Sequence, residues 1–147
     1  MSKDPLLTVL SLAQESEEQA GLQLRAAQSE LQKREAQLQA LNQYRLDYMQ
    51  QLKDKSGGRI SVTFYQQFHK FIKQIDDAIG QQIKAVSQSR EMRAHRQQHW
   101  LEQQRKRKAV EQLLDKKARA AELKQARIEQ KLTDEFAMQQ CYRRQAR

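Results

Sequence analysis

His95 and His99 stand four residues apart, so on a helix both imidazoles lie on one face, the beginning of a metal site. No third ligand accompanies them, and they read as two solvated histidines beside Arg96; no metal or other cofactor is expected. Cys141, the chain's one cysteine, could offer a reactive thiol next to Tyr142 and Arg143. Close to a helix end it reads instead as a surface cysteine without a chemical task. Arg105-Lys106-Arg107-Lys108, with Arg90, Arg93 and Arg96 upstream, is a basic stretch of the kind that meets nucleic acid or anionic lipid. Helical spacing spreads these charges around the helix, and no aromatic stacking platform goes with them. They read as a solvated face, and no nucleic-acid partner is expected. No P-loop, GxGxxG, GxSxG or HExxH motif occurs. Without a catalytic constellation or a concave pocket, the chain is not expected to be an enzyme.

The elements that carry these residues are helices. The chain has 147 residues with one proline and four glycines, and its mean hydropathy is −0.98. Hydrophobic residues make up 38% and aromatics 6%, too little for a thick globular core at this length. The charge is lopsided: residues 1–53 hold 6 Lys/Arg against 7 Asp/Glu, and residues 54–147 hold 21 against 11. The second half should therefore seek an acidic partner or an anionic surface. One cysteine, no signal-peptide pattern and no apolar run of transmembrane length lead to the expectation of a cytoplasmic protein.

Asp4-Pro5 is a helix start, an N-cap acceptor followed by proline at the first helical position. A 3–4 repeat then runs through Leu10, Ala13, Glu17, Ala20, Leu24, Ala27, Leu31, Arg34, Leu38, Leu41, Arg45, Tyr48 and Leu52. Ten of these thirteen are apolar, which fits a coiled-coil seam. The repeat halts in residues 54–61, around Gly57-Gly58. Thr63 and Gln66 offer a capping box for a second helix, with a seam through Tyr65, Phe68, Ile72, Ile75, Ile79, Gln82 and Val86. The expected fold is all-α, a long antiparallel two-helix coiled-coil hairpin with unequal arms. As one domain over 1–147, helix one covers about 5–53, the turn about 54–62, helix two about 63–140 and a tail about 141–147.

Laying the seams together sets Leu52 against Phe68, Tyr48 against Ile72 and Leu41 against Ile79, pairs whose numbers each total 120. The fold-back then centres near residue 60. The same rule sets Ala20 against Trp100, Leu10 against Val110 and Leu6 against Leu114, small against large at the tryptophan. Arg93 and Arg96 fall where Ala27 and Leu24 need cover, a place for the register to drift. Val110, Leu113 and Leu114 should finish the paired region. Beyond about residue 115 helix two has no intrachain partner, yet Ile128, Leu132 and Phe136 still form an apolar stripe. Tyr44, Tyr48, Phe64, Tyr65, Phe68 and Phe71 crowd the turn-proximal half, more aromatics than two helices can bury.

With LxxLxxYRxxYxxxL in helix one, FIKQIDDAIGQQ after the turn and RIEQKLTDEFA near the end, the chain resembles the FliJ family along nearly its whole length. Members are cytoplasmic components of the bacterial flagellar type III export apparatus. Their architecture is similar to the central γ stalk of rotary ATPases, an antiparallel coiled coil inserted in a ring of ATPase subunits. The resemblance implies a non-enzymatic factor in flagellum biogenesis, motility and chemotaxis. It would bind the flagellar export ATPase hexamer, promote ring assembly or activity, and couple the ring to the export gate membrane protein. Export chaperones for minor filament proteins are further partners implied. The place implied is the cytoplasm at the flagellar base, peripheral to the inner membrane and not inserted.

Carried over by resemblance, the gate-binding surface falls on Gln37, Leu41, Tyr44 and Tyr48, facing Phe71, Ile75, Ala78 and Gln82. Gln82 stands where another member can carry histidine, and Ile75 where one carries leucine. By resemblance to the rotary stalk, the ATPase ring would cover Ile128, Leu132 and Phe136. Lys116, Lys117, Arg119, Lys124 and Arg127 would then face acidic groups of its bore. Two other readings of the residues stand beside this one: a structural coiled-coil scaffold that associates through its own overhang, and a basic helical binder of nucleic acid.

Overall fold

The computed structural model describes residues 4–55, 57 and 61–146. Two helices account for almost all of them, α1 over Pro5–Lys55 and α2 over Val62–Gln145, packed as an antiparallel hairpin. Asp4 opens α1: its Oδ1 accepts the amide of Leu6 at 3.0 Å, and its carbonyl accepts that of Leu7. Proline at N1 loses nothing there, because that amide has no partner in a helix. The cap of α2 is Ser61, whose Oγ accepts the amide of Phe64 at 3.1 Å and whose carbonyl accepts that of Tyr65. The expected Thr63–Gln66 capping box is therefore not used. Ser61 reaches the third helical amide first, and Thr63 lies inside the first turn. The fold-back near residue 60 and Gly58 lie outside the described residues.

By its contacts the chain divides into residues 18–102 and a second unit of residues 1–17 with 103–147. Residues 18–102 contain every buried side chain among the described residues. Phe68, Ile72 and Ile75 form the core cluster, with Tyr48, Leu52, Phe71 and Ile79 packed against it. Tyr48 stacks flat on Phe68 with ring centroids 4.7 Å apart. Each large side chain taken from water here is worth about 1.5–3 kcal/mol. Every expected seam position of α1 is buried or half-buried. In α2 the expected seam is correct except at Tyr65. That residue is exposed, its ring edge-on to His69, while Phe64, four before Phe68, turns inward beneath the Lys55 ammonium. A spacing of four continues the 68–72 step that the core already uses.

The register does not drift at the arginines. Arg34 Nη1 donates to the Ala85 carbonyl at 3.1 Å, and Arg96 Nη1 donates to Gln23 Oε1 at 3.0 Å. Both pairs total 119, so the helices keep step on either side of Arg93. Arg93 stays exposed beside Gln28, Leu31, Gln32 and Glu35, and buried Ser89 and Ala27 complete the layer. Arg45 binds Asp76 through Nε at 2.6 Å, a hydrogen bond and charge that hold the guanidinium pKa above its ordinary value. Trp100 closes this unit. Its indole lies against the backbone of Gly21, where an added Cβ would stand 3.4 Å from Nε1, and Ala20 beside it is fully buried.

In the second unit α1 and α2 meet through half-buried Leu6, Leu10, Ala13, Val110 and Leu114. Leu113, expected here, points outward. Arg107, expected on the solvated face, sits half-buried in the seam and binds Glu17 from α1 and Glu111, the latter at 2.8 Å. The hydrogen bond to Glu17, then that to Glu111, raises its pKa. Lys117 Nζ donates to Asp4 Oδ2 at 2.7 Å. That bond, with the Leu6 amide, draws the Asp4 carboxyl below its usual value. From Ala118 to Ala146 every residue is exposed.

Two outcomes follow for stability. Gly80 sits in mid-helix with open space where a side chain would begin, so Gly80→Ala should raise stability by about 0.5–1 kcal/mol in thermal unfolding. Phe68→Ala should lower it by about 3–4 kcal/mol, because a cavity opens in the cluster of buried large residues. For Asp4, the folded carboxyl is the stronger acid. Its contribution is complete above the unfolded pKa of about 3.9 and is lost as pH falls through the lower folded value. Protection of the Leu6 amide from exchange, taken relative to an unprotected amide at the same pH, should fall below pH 4 in wild type and be low at every pH in Asp4→Ala.

Candidate functional site

Eight residues expected at one binding surface come from the two facing helices of the 18–102 unit. Tyr44 and Tyr48 lie one turn apart on α1, and both reach the same ring on α2. Phe71 is edge-on to Tyr44 at 6.3 Å and tilted against Tyr48 at 4.7 Å. At the other end Gln82 Nε2 donates to the Arg34 carbonyl at 2.9 Å and to Gln37 Oε1 at 3.2 Å. Between these ends an open groove is lined by Gln37, Ala40, Leu41, Tyr44 and Gln82. The surface is thus one strip: an aromatic end, a shallow apolar middle and an amide end.

The eight do not play equal parts. Tyr44 is 51% exposed and Gln37 is exposed beside it, whereas Ile75 is 5% exposed and belongs to the core. Leu41, Tyr48, Phe71, Ala78 and Gln82 are half-buried, each showing one edge. A partner on this face would meet Tyr44, Gln37 and those edges, and Ile75 would support Phe71 from beneath. Ala40, absent from the expected set, lines the groove; it sits three residues after Gln37 and four before Tyr44, the helical spacing that marks one face.

The second set lies on α2 in the other unit. Ile128, Leu132 and Phe136 are 44%, 60% and 62% exposed and continue the face on which Val110 and Leu114 are half-buried against α1. Of the five basic residues expected to face a partner, Lys117 is held by Asp4 and Arg119 pairs with Asp115 at 3.1 Å. Lys116, Lys124 and Arg127 make no ion pair among the described residues. An exposed pair such as Arg119–Asp115 is worth little and exchanges readily for a partner's carboxylate.

The residues that could do chemistry are not assembled for it. His95 is exposed and His99, expected as solvated, is half-buried beside Trp100. Among the described residues no three metal-ligating groups cluster, and Cys141 is a free, exposed thiol. Arg107 of the basic run is spent on the seam, whereas Arg105, Lys106 and Lys108 are exposed. Among the described residues no helix is long and apolar enough to cross a membrane.

The expected residues thus form two surfaces, one on each unit, and comparison with known proteins supplies the family. The family described as "Flagellar FliJ protein" matches residues 2–146. Two relatives with that same name, from Salmonella typhi and from Escherichia coli (strain K12), are each 27% identical over 139 residues, which is 95% of this chain and 95% of theirs. No solved structure is a significant match. With a family match over nearly its whole length, the chain belongs to the FliJ family of flagellar proteins.

Proposed function

We propose that this flagellar export component acts without catalysis of its own, as a coiled coil that joins two machines. Its C-terminal arm binds the hexameric ring of the export ATPase and promotes the ring's assembly or activity. The strip around Tyr44 binds the membrane export gate, and export chaperones for minor filament proteins are further partners. It works in the cytoplasm at the flagellar base, held at the inner membrane by its partners and not by insertion.

The observation that carries this reading is the uncovered row of Ile128, Leu132 and Phe136 on a helix that continues well past the start of α1. A helix end without a packed face is marginal in water, and burial of its apolar row is the largest stabilisation open to it. Covering Leu132 and Phe136 would contribute about 1–2 kcal/mol each. The unpaired cations Lys116, Lys124 and Arg127 around the row favour an acidic lining in whatever surrounds it. The resemblance to a rotary stalk favours a ring, which would close around a single helix end more completely than a flat surface can.

The direct test is the activity and assembly of the matching export ATPase with and without this protein; no change in either would overturn the proposal. Leu132→Ala combined with Phe136→Ala should weaken ring binding tenfold or more, since 1.4 kcal/mol corresponds to a factor of ten. The melting of the 18–102 unit should not move. On the strip, Gln37→Ala with Tyr44→Ala should cost at most about 1 kcal/mol of stability, as both are exposed. Gate binding in a pull-down, and swimming motility, should nevertheless fall. A loss of stability in step with the loss of binding would assign these residues to the core instead.

A further inference from the structure

The arm of α2 beyond Lys117 carries its own complement. Taking 100° per residue, Ile128, Leu132 and Phe136 form a row with Lys131 and Glu135 on one flank. Those two stand four apart in one helix, a spacing that commonly pairs, yet they make no ion pair with each other among the described residues. The face they flank is the same one that α1 covers further back, as far as Asp4, which Lys117 anchors at 2.7 Å.

We infer that a second copy of this chain covers the row, its arm antiparallel to the first, with the two-fold axis level with Thr133. Antiparallel helices related by such an axis present the same flank to each other. Lys131 of each copy then stands level with Glu135 of the other, and the pair forms twice. Leu132 of each copy drops between Leu132 and Phe136 of the other, knobs into holes on a row spaced by four. A parallel pair fails on geometry: below residue 117 the second copy would need the face that α1 already fills. An antiparallel copy avoids this, since its α2 ends at Gln145, level with Ala121 and short of the Asp4–Lys117 bond. The arm therefore caps itself, and a second copy and the proposed ATPase ring exclude each other on the same row. The inference does not rest on the ring, and its test contains no ATPase.

Sedimentation equilibrium of the full chain should show a reversible dimer. Lys131→Glu alone sets glutamate against glutamate twice, and Glu135→Lys alone sets lysine against lysine twice. Each should weaken association about tenfold. An equimolar mixture of the two variants should regain wild-type association, because every crossing pair in the mixed dimer is again Glu with Lys. The like charges within each helix remain in that mixture, so restored helicity cannot imitate the recovery. A wild type that stays monomeric at ~100 μM, leaving the row to another partner, overturns the inference. So does a mixture that associates no better than its components.

Discussion

A helix with a single neighbour can bury one stripe of its surface, and in this chain that limit governs what each apolar residue can do. Residues on the facing stripes, such as Phe68, Ile72, Ile75 and Leu31, are withdrawn from water and hold the two helices together. Residues one position off the stripe, such as Tyr44 and Phe71, can be covered only along an edge. Residues of α2 beyond the start of α1 are left uncovered among the described residues. Core, half-covered strip and open arm are three results of one geometric limit.

The same limit explains where charge enters the seam. A two-helix interface leaves the edges of its stripes in reach of solvent, so a long polar side chain can lie along the stripe and keep its head wet. Arg34, Arg45 and Arg107 do this, and each finds an acceptor on the opposite helix: the Ala85 carbonyl, Asp76 and Glu17. Such contacts add little stability, but they are specific in position. A slip of one heptad would leave Asp76 and Glu17 without their arginines, which favours one register where the apolar layer is thin. Small residues do comparable work, since Gly21 and Ala20 let the Trp100 indole close on the backbone.

The two candidate surfaces differ in kind. The strip around Tyr44 is built on side chains whose rings and amides already contact one another, so its shape is largely preformed. The arm of α2 is a bare helix whose order gains most from whatever covers it. One surface is thus a rigid face and the other an adaptable one.

Periodicity in the sequence determined most of this. The thirteen seam positions of α1, the antiparallel register near 120 and the exposed row at Ile128, Leu132 and Phe136 are all legible, because helical spacing is local and an apolar stripe needs cover. The tertiary structure decided what depends on the opposite helix. Phe64 rather than Tyr65 turns inward because the ring must follow the 68–72 step. Arg107 leaves the basic run because Glu17 stands across from it, and a run of like residues cannot reveal which one has a partner 90 positions away. Ile75 lies beneath the strip, not on it, since i, i+4 spacing fixes a face of the helix but not the depth at which the neighbouring helix meets it.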